Sequence, residues 1–231
     1  MNVFSRLANV FVSPDACFAS IRDKGTKWTD YVVPVLFLVA MVVVFMVATA
    51  DLMEKVQADT IRKMTNIPEA QKEAAIQQAN SPLAVTIKYV FSILSVAISA
   101  LAGALVMWIL GNFIGGGQQK YGVLLASAFY IQLISIPESI IKLVLMLQKE
   151  AMNIYIGLGS LFASPDPGSF GFQFAAQFEF FKLWRIVLWI IAFKVLYKFS
   201  AKKSALLVVV TMLIGMVLSA LLAGIGMGRM G

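Results

Sequence analysis

From Val32 to Ala50 the chain runs for 19 residues without one ionisable side chain. A helix folded in water alternates apolar and polar residues around its wheel, and this run does not. At about 1.5 Å per residue it matches a hydrocarbon core of about 30 Å. Pro34 stands near its start, where proline does little harm. Trp28 and Tyr31 stand at its entrance as interfacial anchors.

Four further runs share this character: about Lys88 to Leu110, Tyr121 to Leu147, Phe180 to Tyr197 and Ala205 to Met227. The chain is 60% hydrophobic and 13% charged, against about 45–50% and about 25% in soluble domains. The expectation is an all-α, polytopic membrane protein: a five-transmembrane-helix bundle with short interfacial N-terminal helices, one domain over residues 1–231. Residues Met1 to Phe11 lack the apolar core of a cleavable signal, so the first span is expected to serve as its own insertion signal.

Residues 1–30 read as a cytoplasmic interfacial arm. Phe4, Leu7, Ala8 and Phe11 recur at helical spacing and form an apolar stripe over Asn2, Arg6 and Asn9. Ser13 caps a second helix, with Pro14 at its first position, Asp15 in its first turn, Phe18 and Ile21 on one face and Gly25 as its stop.

Residues 51–82 form the one sizeable hydrophilic segment, nearly neutral in charge. It is expected to be an extracytoplasmic helical loop, two helices broken at Asn66-Ile67-Pro68 and resting on the membrane. The second span carries Ser92, Ser95, Ser99 and Gly103 three or four apart, and the fifth carries Gly215, Ser219 and Ala223. Both patterns make small-residue faces suited to close helix contact in lipid. Gly115-Gly116-Gly117 lies in a tight connection that lacks the Lys-Ser/Thr ending of a phosphate loop, so it reads as a turn.

The third span is interrupted by Pro137. After it, the apolar segment from Ala151 to Phe162 is too short for a spanning helix and reads as interfacial or re-entrant; if it crossed, the C-terminus would change sides. Ser164-Pro165-Asp166-Pro167-Gly168 is a turn cluster, followed by an aromatic belt from Phe170 to Phe181.

The net charge of +7 comes from Lys and Arg residues that flank the apolar runs. That is the positive-inside pattern and not a nucleic-acid footprint. It places the N-terminus, Lys120 and the Lys198/Lys202/Lys203 corner in the cytoplasm, and the C-terminus with Arg229 outside. The chain has no His, the commonest general base and transition-metal ligand. Its lone Cys17 excludes an internal disulfide. No cofactor and no metal site is expected.

Glu138 is the carboxylate lying well inside a span, and buried charge in a membrane points to function by default. It sits about 25 Å along its helix from Tyr121, while Arg185 sits about 8 Å down a helix entering from the other side. Both depths fall in the outer third of the core, which predicts an ion pair between the third and fourth spans. Lys142, one turn after Glu138, either shares the carboxylate or snorkels outward. The candidate polar cluster is Glu138, Lys142, Arg185, Gln132, Tyr130 and Pro137. Two readings of the pair stand: it fixes helix register, or it forms a polar gate or ligand site. Ser139 and Lys142 have the spacing of a dyad, but no nucleophile–base pair is legible and no enzymatic activity is expected.

Three features together resemble the Yip-domain membrane proteins, named for interaction with Ypt/Rab GTPases. The first is Ser13-Pro14-Asp15-Ala16-Cys17-Phe18 with Ile21-Arg22-Asp23 and a Trp before the first span. The second is Gly115-Gly116-Gly117 leading to Tyr121-Gly122, Phe129-Tyr130 and Ile136-Pro137. The third is the five-span plan with its long first outer loop. The resemblance implies a small polytopic protein without known catalysis, whose eukaryotic relatives are associated with Rab GTPases and vesicle traffic. With almost no hydrophilic N-terminal domain, this chain looks like a bacterial member, and the Rab role is not carried over. Tyr130, Pro137 and Glu138 occupy the family's third-helix motif.

The leading expectation is a non-enzymatic scaffold or adaptor in a bacterial inner membrane, partnered by lipids and by itself or another membrane protein. The alternative is a transporter, channel or lipid-handling component with a polar site around Glu138. A continuous water-accessible cavity, or lipid reaching Glu138, favours the second; a dry and fully paired cluster favours the first.

Overall fold

The computed structural model describes residues 1–152, 154–161 and 169–227; the turn cluster at 164–168 and Arg229 lie outside the described residues. Every regular element among the described residues is helical. Among the described residues, four helices are long and apolar enough to cross a membrane: Thr29–Ala48, Pro82–Ile114, Tyr121–Lys149 and Ala201–Ala223. The expected fourth run forms a shorter helix of 17 residues, α10 (Phe180–Leu196), which carries Lys182, Arg185 and Lys194.

Two helices, α1 (Val3–Val12) and α2 (Pro14–Lys24), precede the first long one. Their apolar residues divide differently from the expected stripe. Phe4 and Phe11 are exposed, whereas Val10, Cys17, Phe18 and Ile21 are fully buried. Arg6, which the wheel places on the polar face, is buried too. The arm is therefore built into the core, packed between α10 and the bundle, with Phe4, Phe11 and Val12 directed outward. A one-helix wheel counts apolar residues but contains no information about which face meets a partner.

Cys17 donates its thiol to the Arg6 carbonyl at 3.5 Å. Burial pushes the thiol up to about 12. At pH 8 only roughly one part in ten thousand is then thiolate, the reactive form. Maleimide labelling of native protein in mild detergent is expected to be negligible over minutes and complete after unfolding in SDS; rapid native labelling would contradict this burial.

The first long helix is α3 (Thr29–Ala48), followed by the hairpin α4 (Ala50–Lys63) and α5 (Glu69–Ala79), separated at the expected Asn66-Ile67-Pro68 break. Ser81 then caps α6 (Pro82–Ile109), accepting from the Ala84 N–H at 3.3 Å, with Pro82 at the first position. That cap starts the helix six residues before the expected Lys88, and α6 ends in one π turn, Leu110–Ile114.

The next span divides into α7 (Tyr121–Gln132) and α8 (Ser135–Lys149). The break falls at Leu133 and Ile134 and not at Pro137, which sits in the first turn of α8. Proline perturbs the carbonyl four residues before it, here that of Leu133, so the distortion appears one turn earlier.

The described part of the 151–162 segment forms only a 3₁₀ turn, Leu158–Leu161, tied by the Leu158 N–H to the Phe178 carbonyl at 3.2 Å. α9 (Phe170–Ala175) packs on α11 (Ala201–Met227) and buries Phe172 edge-on against Tyr155 at 4.7 Å.

One end of the bundle is closed by the glycine-rich connection. A Cβ on Gly111 or on Gly117 would each lie 2.2 Å from the Tyr197 ring. Glycine is therefore needed at both positions for close approach and not for a phosphate. Gln119 donates to the Leu196 carbonyl at 2.7 Å and Lys203 to the Gly115 carbonyl at 2.7 Å. These contacts, with Arg22 on the Val195 carbonyl at 2.8 Å and Tyr31 on the Gly122 carbonyl at 3.1 Å, gather the N-terminal arm, residues 111–122 and residues 194–203 at one end.

Candidate functional site

α8 and α10 lie so that charges of opposite sign meet at matching depth. Glu138 accepts from Lys142 through one oxygen at 2.8 Å and from Arg185 through the other at 2.6 Å. Lys142 also reaches Glu179 at 2.8 Å. Glu179 stands at the N-terminus of α10, where an anion also meets the positive end of the helix dipole. The result is a chain of alternating charge, Arg185–Glu138–Lys142–Glu179. Their side chains retain between 11% and 27% exposure, so the cluster is lodged in protein but not sealed.

Lys182 lies one turn from Arg185 and donates to the Gln177 side chain. Glu179 and Lys182 were absent from the expected cluster, although the depth argument reaches them. Lys142 lies one turn further out than Glu138, and Glu179 lies further out than Arg185 by six residues.

Of the other expected members, Gln132 is close: it lines a cavity with Arg185 and donates to the Ser99 hydroxyl at 3.1 Å. Pro137 is not on that side. It faces Phe11, Phe180, Phe181 and Trp184, because adjacent helix residues are rotated by about 100°.

Tyr130 belongs to a different network. Its hydroxyl donates to Asp30 at 2.6 Å, and Asp30 forms an ion pair with Arg6 at 2.8 Å. Arg6 also donates to the Ser20 hydroxyl at 3.1 Å and carbonyl at 2.7 Å, and Asp30 accepts from the Lys27 N–H at 2.8 Å. Arg6 and Asp30 side chains are 4% and 3% exposed, so the network is buried. Charged groups removed from water in this way need such full pairing. The available sequence signal was a carboxylate in the first turn of the first span; its partner, 24 residues earlier, was assigned to an outer face.

Two adjoining cavities, of about 410 and 500 Å³, meet at the charged cluster. Both are lined by Val42, Ser95, Ser135, Ser139 and Arg185. The larger reaches Glu138 and Lys142. The smaller reaches Lys182, Gln132 and the apolar walls Leu38, Ile131, Ile186 and Met212. The small-residue face of α6 thus borders open space as well as α7, from which Gln132 donates to Ser99. Ser95 and Ser99 line the cavity, and a Cβ on Gly103 would meet nothing within 4 Å. Among the described residues no group of three or more His, Cys, Asp or Glu side chains is placed to hold a metal.

These features define a polytopic α-helical membrane protein with a charge-lined cavity between its helices. The Yip1 domain model matches residues 8–223. The chain belongs to the Yip1 domain family, in keeping with the motifs at Ser13-Pro14-Asp15, Gly115-Gly116-Gly117 and Phe129-Tyr130. No curated protein and no solved structure matches the chain.

Proposed function

We propose that this protein is a non-enzymatic, lipid-handling component of a bacterial inner membrane, which holds an amphiphile in the cavity between α3, α6, α8 and α10. The observation that carries this reading is the cavity itself, which reaches Glu138, Lys142 and Arg185 and is walled elsewhere by serines and apolar side chains. A charge network made only to fix helix register has no need of adjoining space. Lys142 is engaged by two carboxylates, and among the described residues no hydrogen bond joins it to Ser139, which leaves the dyad arrangement without support.

In this reading the chain crosses five times, with α10 as the short fourth crossing, so that the termini lie on opposite sides. Arg22, Lys24, Lys27, Lys120, Lys198, Lys202 and Lys203 meet at the end closed by the glycine connection. That end is assigned to the cytoplasm by the positive-inside rule.

A scaffold role draws on a separate observation. Gly215 and Ser219 are exposed on α11, and a Cβ on Gly215 would meet nothing within 4 Å, so this small-residue face is open to a second copy.

Purification in mild detergent, followed by native mass spectrometry and lipid extraction, tests both. The expected result is a monomer mass with about one retained lipid per chain. A delipidated monomer rejects the lipid reading, and a stable dimer without lipid favours the scaffold.

A further inference from the structure

The same cavity has features that select a class of head group, and this inference rests on the lipid-handling reading. Four ionisable side chains line it, Lys142, Lys182, Arg185 and Glu138, and Glu179, outside the lining, pairs with Lys142. One positive charge is left over.

The uncommitted donors are also on the cavity side. A guanidinium has five N–H donors, and Arg185 uses one nitrogen on Glu138 among the contacts of the described residues. Lys182 lines the smaller cavity with one of its three N–H groups on Gln177. Ser139 faces both cavities.

The position of the opening identifies the source of the occupant. Ser95 and Ser99 line the cavity and are exposed at the bundle surface. Ser95 lies near the middle of α6 (Pro82–Ile109), about 20 Å from either end. The cavity is thus open at the depth of the acyl chains, and its larger part also extends to Met53 of the hydrophilic hairpin.

We infer that the cavity takes the phosphodiester of an anionic glycerophospholipid, with Arg185 and Lys182 as its ligands and an acyl chain along Leu38, Ile131, Ile186 and Met212. A phosphodiester brings the single negative charge that balances the cluster. A zwitterionic head group brings its own ammonium and leaves the excess charge in place. Phosphodiester oxygens are acceptors only, which suits the N–H donors of Arg185 and Lys182 and the Ser139 hydroxyl.

The test uses the full chain in detergent with equal amounts of phosphatidylglycerol and phosphatidylethanolamine of matched chains, read by native mass spectrometry. Wild type is expected to retain the anionic lipid at least about fivefold over the zwitterionic one. Lys182→Gln leaves the Glu138, Lys142, Glu179 and Arg185 chain intact and is expected to abolish that preference, with Lys182→Arg restoring it. Arg185→Gln combined with Glu138→Gln removes a pair without stranding a charge, and is expected to weaken retention of the anionic lipid.

Equal retention of the two lipids by wild type, or an unchanged preference in Lys182→Gln, overturns the head-group assignment while leaving lipid handling in place. Failure to retain either lipid overturns both. Inorganic phosphate at millimolar concentration is expected not to displace the lipid; displacement would mean a soluble anion is the occupant and would also overturn it.

Discussion

An Asp30→Ala variant is expected to lose about 3–5 kcal/mol of unfolding free energy, the usual cost of removing one partner from a buried ion pair. The substitution strands the Arg6 guanidinium, 4% exposed, without its carboxylate partner. It also takes the acceptor from the Tyr130 hydroxyl, which donates to Asp30 at 2.6 Å. Among the described residues, the Arg6 guanidinium would keep its contacts to Ser20 and the Gly25 carbonyl.

The measurement is SDS or thermal unfolding in detergent, followed by tryptophan fluorescence. Arg6→Met together with Asp30→Leu is expected to recover most of the loss, since apolar replacement of a whole buried pair is often neutral. If Asp30→Ala unfolds at the wild-type midpoint, the arm is not held by this network. The pair joins residue 6 to the start of α3, so the same variant is expected to expose Cys17 to maleimide.

The second large effect is expected at the glycine connection. Gly117→Ala puts a methyl group 2.2 Å from the Tyr197 ring, and that ring is equally close to Gly111 on its other side. The ring has little room to withdraw, because it stacks on Phe199 at 5.0 Å and packs against Phe193 at 5.2 Å. Overpacking of this kind costs about 1–3 kcal/mol and occasionally more.

Tyr197→Leu is expected to rescue Gly117→Ala by releasing the space. The Tyr197 hydroxyl is buried with no hydrogen-bond partner among the described residues, so its removal sacrifices no hydrogen bond there. Gly103→Ala, directed into the cavity where nothing lies within 4 Å, is expected to unfold like wild type. Equal midpoints for Gly117→Ala and Gly103→Ala would show that the connection yields freely.

The opposite surroundings of these glycines mark the limit of what residue order carries. Gly115-Gly116-Gly117 was legible as a turn, and the small-residue face of α6 was legible as a stripe. Nothing local distinguishes a glycine pressed on an aromatic ring from one that borders a void. Likewise, the pairing of Glu138 with Arg185 was legible because both lie at known distances from the ends of their helices. Depth is a sum of identical rises, about 1.5 Å per residue, and it accumulates along the chain without reference to neighbours.

Rotation about the helix axis is different, because it is set by which surfaces meet. For that reason Tyr130 and Pro137 shared a helical segment with Glu138 in sequence yet face Asp30 and Phe181 in the fold. For the same reason Phe4 and Phe11 ended outside while Arg6 was buried.

Residue order alone established the membrane character, the long apolar helices, the hydrophilic hairpin and the depth of the charges, since each follows from backbone satisfaction and length in a medium without water. The packing of helices against one another decided which charges pair, which glycines are obligatory and where space is left open. Those outcomes depend on azimuth and on contacts between residues far apart in the chain, and the energies that settle them exist only once the helices are side by side.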